Sequence, residues 1–141
     1  MKKAVVDASV VAKWFVPEIH SEAAARLLDA EIALYAPDLI SPEFGNILWK
    51  KVRRHEIERE EADEIMTAFA KLPFEIRPSV LLLSSAFELA NELDRTVYDS
   101  LHLALAVAEE CALITADAKF HATVRESPLA EHVQWVEDEI W

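Results

Sequence analysis

Short apolar runs alternating with stretches of helical period constrain the fold of this chain more than any other feature. Such runs fall at KKAVVD and at residues 32–36, 111–115 and 133–136, and a further short strand, 74–77, is set between prolines; each is four to six residues long. That length suits strands and is short for helices. Between them apolar residues recur every three or four positions. This predicts helices at about 9–15, 21–31, 41–54, 58–71 and 79–93, and another that follows Thr96 and runs through LHLALAVAEE. Pro17 closes the first helix, Pro37 ends the second strand, and Pro73 and Pro78 bracket the third. Strands that alternate with helices are joined by crossovers, so the expectation is an α/β domain around a mainly parallel sheet of about five strands, with 133–136 at an edge.

No repeat, low-complexity tract or Gly/Ser linker interrupts the 141 residues, and 52% apolar content supplies a core for one domain spanning 1–141. The opening MKKAVVDASVVAKWFV breaks its apolar run at Asp7 and Lys13, unlike a secretory signal, and no stretch approaches a membrane span. A soluble cytoplasmic protein is expected. Cys111 is the single cysteine, and the five histidines lack zinc-finger or HExxH spacing. Any metal should therefore be a hard ion held by oxygen.

Two of the predicted strands finish in an aspartate, VVDAS at Asp7 and LITAD at Asp117. Ligand crevices of open α/β sheets lie beyond the carboxyl ends of the strands, so these two acids can share a pocket. Either alone reads more simply as a turn or cap residue. Ser41-Pro42-Glu43 has the grammar of a helix start, with a capping hydroxyl, proline in the first helical position and an acid in the first turn. Thr96-Val97-Tyr98-Asp99 matches a capping box, Thr96 capping and Asp99 reaching back. Glu43 and Asp99 thus also sit at element ends, in a fold that gathers such ends together.

Four converging carboxylates need protons or cations among them. Two of them about 5 Å apart repel by roughly 3 kcal/mol at an effective dielectric of about 20. Oxygen ligands suit Mg²⁺ or Mn²⁺, and phosphodiester hydrolysis is the chemistry such ions serve. Ser9, two residues after Asp7, Thr115, two before Asp117, and Asn46, one turn after Glu43, are placed to orient the acids. Each also has a plain structural use, as a helix cap (Ser9), a strand residue (Thr115) or a backbone partner (Asn46). His102, one turn after Asp99, reads as a packed helix residue rather than a ligand.

The formal charge of −12 opposes broad attraction to nucleic acid. Bound divalent ions can reverse the sign locally. The run Lys50, Lys51, Arg53, Arg54 and His55 is a candidate basic strip, although a solvated helix end is its commoner meaning.

DAS after the first strand, PEFGN opening a central helix, TVYDSLHLALA and LITADAKF together resemble the PIN domain, specifically the VapC toxins, over nearly the whole chain and in the family's order. The resemblance implies a three-layer α/β/α fold and a Mg²⁺- or Mn²⁺-dependent endoribonuclease, often a homodimer, held inactive by a VapB-like antitoxin. It places the family's acids on Asp7, Glu43, Asp99 and Asp117, and its hydroxyl and amide helpers on Ser9, Thr115 and Asn46. Exposed apolar residues of the 22–30 and 58–72 helices are where an antitoxin would bind, though the protein's own core accounts for most of them.

Other acid-based chemistry on this fold class fits less well. A receiver needs an acidic pair after the first strand and a haloacid-dehalogenase-type phosphatase needs DxD, where this chain has Asp7-Ala8-Ser9. Gly45, the single glycine, cannot build a Walker A loop or a dinucleotide-binding turn. A PIN-fold module that binds RNA or protein without cutting, and a housekeeping nuclease with no antitoxin, are the alternatives.

Overall fold

One sheet of five strands organises the molecule: β1 (Lys2–Val6), β2 (Ile32–Pro37), β3 (Glu75–Arg77), β4 (Ala112–Thr115) and β5 (Val133–Trp135). In this computed structural model, which describes residues 2–29 and 31–138, the strand order is β3-β2-β1-β4-β5 and every neighbouring pair is parallel. The helices are α1 (Ala8–Phe15), α2 (Ser21–Asp29), α3 (Ile40–Arg53), α4 (Arg59–Phe69), α5 (Ser79–Leu93), α6 (Val97–Ala108) and α7 (Ala118–Arg125), with a 3-10 turn at Ala130–His132.

Strand alternation sorts the helices into two layers. Ala4 and Val6 of β1, Leu34 and Ala36 of β2 and Ile114 of β4 face a core shared with α1 to α4. Val5, Tyr35 and Leu113 point the other way, into a core built with α5, α6 and α7. The result is the α/β/α sandwich that the family resemblance implied, its sheet wholly parallel. β1 is central: the chain winds from it through β2 to β3 on one side, then crosses back to β4 and β5 on the other. The winding direction therefore reverses between β1 and β4, where a crevice opens beyond the carboxyl ends of the strands. Val6 and Ile114 pair there.

Several element ends differ from the sequence-based expectation. Ser41 does not cap α3, which begins at Ile40 after Leu39 with no side-chain cap. Ile40 is fully buried, and Asp38 instead binds Ser79 across the gap, accepting from its amide at 3.1 Å and from its hydroxyl. Packing thus starts the helix earlier than cap chemistry suggests. Ser9 does not cap α1 either; Asp7 does. α7 was not anticipated. It is two turns long and is nucleated by Asp117 as its cap, with Phe120 and Val124 buried one turn apart. Position 30 of the predicted 21–31 helix lies outside the described residues.

The basic run is a helix end. Lys50, Lys51 and Arg53 occupy the last turn of α3, where they complement its dipole. Lys51 pairs with Glu18 at 3.4 Å, and Arg53 lies over the Trp49 ring. Burial pushes the Cys111 thiol up to about 11, so it stays protonated at neutral pH and is a poor metal ligand. No described helix is long and apolar enough to cross a membrane.

Candidate active site

Asp7 and Asp117 follow the two strands that flank the crevice, and each caps the helix beyond it. Asp7 Oδ1 accepts from the Val10 amide at 3.0 Å and from the Ser9 hydroxyl at 2.7 Å. Asp117 Oδ1 accepts from the Phe120 amide at 3.0 Å. The capping reading and the site reading are therefore compatible. Capping occupies one oxygen of each carboxylate and fixes its orientation; the second oxygen of Asp7 stays available, whereas Asp117 Oδ2 accepts from Arg95 Nη2 at 3.1 Å. Thr115 is fully buried and its Oγ1 accepts from the Asp117 amide at 3.1 Å. It steadies the turn that carries Asp117 from behind, without lining the crevice.

The other two acids come from helix starts on opposite faces of the sheet. Asp99 lies in the first turn of α6, its amide donating to Thr96 Oγ1 at 3.1 Å. This is one arm of the expected capping box. The reciprocal arm is replaced, because Asp99 Oδ2 accepts from Arg95 Nη2 at 3.2 Å. Glu43 lies in the first turn of α3, and its Oε1 is 2.7 Å from His102 Nε2. A carboxylate only accepts, so the imidazole hydrogen sits in that contact.

All four acids, with Ser9, Asn46, His102 and Phe120, line one cleft of about 260 Å³. Burial raises the Asp7 pKa above its ordinary value, and the neighbouring Glu43 charge adds to the rise. His102 and the bonds from Ser9 and Val10 pull it back. A desolvated acid with an acidic neighbour is a group that a cation would relieve.

The donor set, carboxylates with one imidazole among the lining residues, suits a hard divalent ion. Among the described residues no three His, Cys, Asp or Glu side chains form a ready-made metal cage. Arg95 and His102 pair with three of the four acids. Mg²⁺ is usually held by one or two carboxylates, waters and substrate phosphate, so a complete protein cage is not required.

Two contacts of the acids escaped the sequence reading. His102 is packed, as expected, at 3% exposure, but its contact with Glu43 spans 59 positions and no local pattern announces it. Arg95 Nη2 bridges Asp99 and Asp117, the second at 3.1 Å. Its place four residues before Asp99 was the available signal.

Sheet order, switch-point cleft and acid set together define a PIN-type α/β domain. The PIN domain family model matches residues 4–126. Ribonuclease VapC3 of Pyrobaculum aerophilum is 37% identical over 119 residues, covering 82% of this chain and 89% of that protein. The crystal structure of PAE2754 from the same organism superposes with a TM-score of 0.67 at 22% identity, covering 96% of this chain and 85% of the other. A toxin–antitoxin complex from Klebsiella pneumoniae gives a TM-score of 0.63 at 17% identity over 96% and 99% of the two chains. The chain belongs to the PIN domain family, and within it sits with the VapC ribonucleases.

Proposed function

We propose that this chain is a Mg²⁺- or Mn²⁺-dependent endoribonuclease, the toxin of a VapBC-type toxin–antitoxin pair, acting on RNA in the cytoplasm. The observation that carries this reading is the meeting of Asp7, Glu43, Asp99 and Asp117, from four separate elements, around one cleft at the sheet's switch point. A bound divalent ion would supply an activated water and charge stabilisation of the phosphate. The chain's own part is to hold the carboxylates. Ser9 and Val10 fix Asp7, Phe120 and Thr115 fix Asp117, Thr96 fixes the backbone of Asp99, and His102 holds Glu43.

Purified protein freed of antitoxin should cut structured RNA with Mg²⁺ or Mn²⁺ and stop on addition of EDTA. Glu43→Gln keeps a partner for His102 but removes the charge, and kcat is expected to fall by about 10² or more. A Glu43→Gln protein as active as the parent would remove the acid-cluster mechanism. A parent that binds RNA tightly and never cuts it would instead be a binding module.

The partners follow from the same reading. Most apolar residues of α2 and α4 are in the core, as expected, but Leu28 and Met66 are exposed, and Met66 joins Trp49 and Val52 along an α3–α4 groove suited to an antitoxin segment. A homodimer has a separate face: Val80, Leu83 and Phe87 recur along α5 at helical spacing and are all more than half exposed or close to it, at 75%, 50% and 62%. A two-fold contact would place this stripe against its own copy. Phe87→Glu should therefore convert a sedimenting dimer to monomer while leaving the melting temperature of the monomer nearly unchanged. A variant that still sediments as a dimer would move the interface elsewhere.

A further inference from the structure

Among the described residues, Arg95 is the one lysine or arginine paired with any of the four acids. It leaves α5 through Asp94, whose left-handed backbone (φ 52°) ends that helix, and it sits immediately before the cap of α6. One nitrogen, Nη2, serves both Asp99 Oδ2 and Asp117 Oδ2. The guanidinium lies over the Phe120 ring, 5.1 Å from its centroid, and Nε is buried without a hydrogen-bond partner. Nη1 has no partner among the described residues and is not among the buried atoms.

This arrangement is costly for a purely structural ion pair. A guanidinium usually meets a carboxylate through two parallel bonds. Here a single nitrogen is shared between two acids, Nε is spent on nothing, and an edge of the fork is left open to water. The aromatic stack supplies what the carboxylates do not: it fixes the plane of the group and tolerates its weak hydration. A planar donor fork held against two acids of the cleft is suited to a phosphate oxygen, and in a chain of net charge −12 a phosphate approaching those acids needs such a donor.

We propose that Arg95 is a substrate-binding residue, which takes an RNA phosphate on its open edge and at the same time weakens the hold of Asp99 and Asp117 on a divalent ion. The proposal rests on the ribonuclease reading above. Its two halves have opposite signs. A positive group 3.1–3.2 Å from two ligand oxygens repels a metal ion that seeks the same oxygens, so removing it should tighten metal binding while loosening RNA. A pair that only braced α6 against α7 would, when cut, loosen both.

The test compares the parent with Arg95→Ala and Arg95→Lys, each first shown by its melting curve to be folded. Calorimetric titration with Mn²⁺ alone should give a dissociation constant about fivefold lower for Arg95→Ala, and close to that of the parent for Arg95→Lys, which keeps the charge. Anisotropy of a labelled RNA hairpin in Ca²⁺ should show RNA binding weakened about tenfold by Arg95→Ala and less by Arg95→Lys. Unchanged or weaker Mn²⁺ binding in Arg95→Ala, or unchanged RNA affinity, overturns the proposal. If the parent binds Mn²⁺, binds the hairpin and cuts RNA while Arg95→Ala shifts neither affinity as stated, this inference alone fails. A parent that binds neither ligand overturns the ribonuclease reading and this inference together.

Discussion

Asp7→Asn will abolish RNA cleavage and yet melt at a higher temperature than the parent in EDTA. Asparagine has the same shape and caps a helix as well as aspartate does. Its Oδ1 can keep both bonds that Asp7 Oδ1 accepts, from the Val10 amide and the Ser9 hydroxyl. What it removes is a charge that burial penalises and that Glu43 repels, the two influences that raise the Asp7 pKa above 3.8. The sign is fixed by linkage. An acid with a folded pKa above its unfolded one binds more protons when folded, so its ionisation costs stability as pH rises from about 4 through the raised value. At neutral pH the parent carries that cost and the variant does not. The variant is therefore expected to melt at a measurably higher temperature than the parent at neutral pH. Saturating Mn²⁺ should raise the parent by mass action and leave the variant behind, so the order of the two melting temperatures reverses. Loss of cleavage should reach about 10³-fold or more. A variant less stable than the parent in EDTA at pH 7, with capping intact, would show that Asp7 is a structural acid.

This conflict between stability and site explains what the sequence could and could not reveal. The sheet was legible because its signal is local: β1, β2, β4 and β5 carry short apolar runs, and β3 (EIR) is marked instead by the prolines on either side of it. The two layers follow from period-two alternation, as in Ala4, Val5 and Val6. Asp7 and Asp117 were legible for the same reason, since a strand end followed by a helix puts its cap residue at the crevice. Cap grammar misled at Ser41, where burial of Ile40 outweighed a favourable hydroxyl and drew the helix start forward. At Asp117 a cap reading was open, but Phe120 and Val124 one turn apart give α7 only a short apolar stripe, too brief to announce a helix by period. The contacts of Arg95 with Asp117 and of His102 with Glu43 span 22 and 59 positions. They exist only once α3, α6 and α7 are assembled around the sheet, and no periodicity encodes them. Long-range pairs of this kind decide how much of the acid charge remains for a metal, so the chemistry of the site was less visible than its location.

Phe44→Ala should be the most destabilising single truncation near the site, costing about 3–5 kcal/mol. The ring is fully buried. It stacks on Phe69 of α4 with centroids 4.2 Å apart and planes 8° apart, and it meets the edge of Phe15 at the end of α1 at 5.8 Å. One side chain thus joins three helices on the same face of the sheet. Removing it opens a cavity whose walls are held by the stacks of their own helices, so little collapse can offset the loss. Against a total stability of about 5–15 kcal/mol, a large part of the folded population's margin disappears. In urea the midpoint should fall steeply with the slope unchanged. Phe87→Ala, at an exposed ring, should shift the monomer by no more than about 0.5 kcal/mol. The functional consequence comes from adjacency, because Glu43 precedes Phe44 in the first turn of α3 and its contact with His102 depends on where that turn sits. Under conditions where the variant is still folded, kcat should fall while the affinity for RNA changes little. Retention of both the urea midpoint and kcat would mean that α3 is positioned by its backbone and the remaining core, and that the aromatic stack contributes nothing to the placement of Glu43.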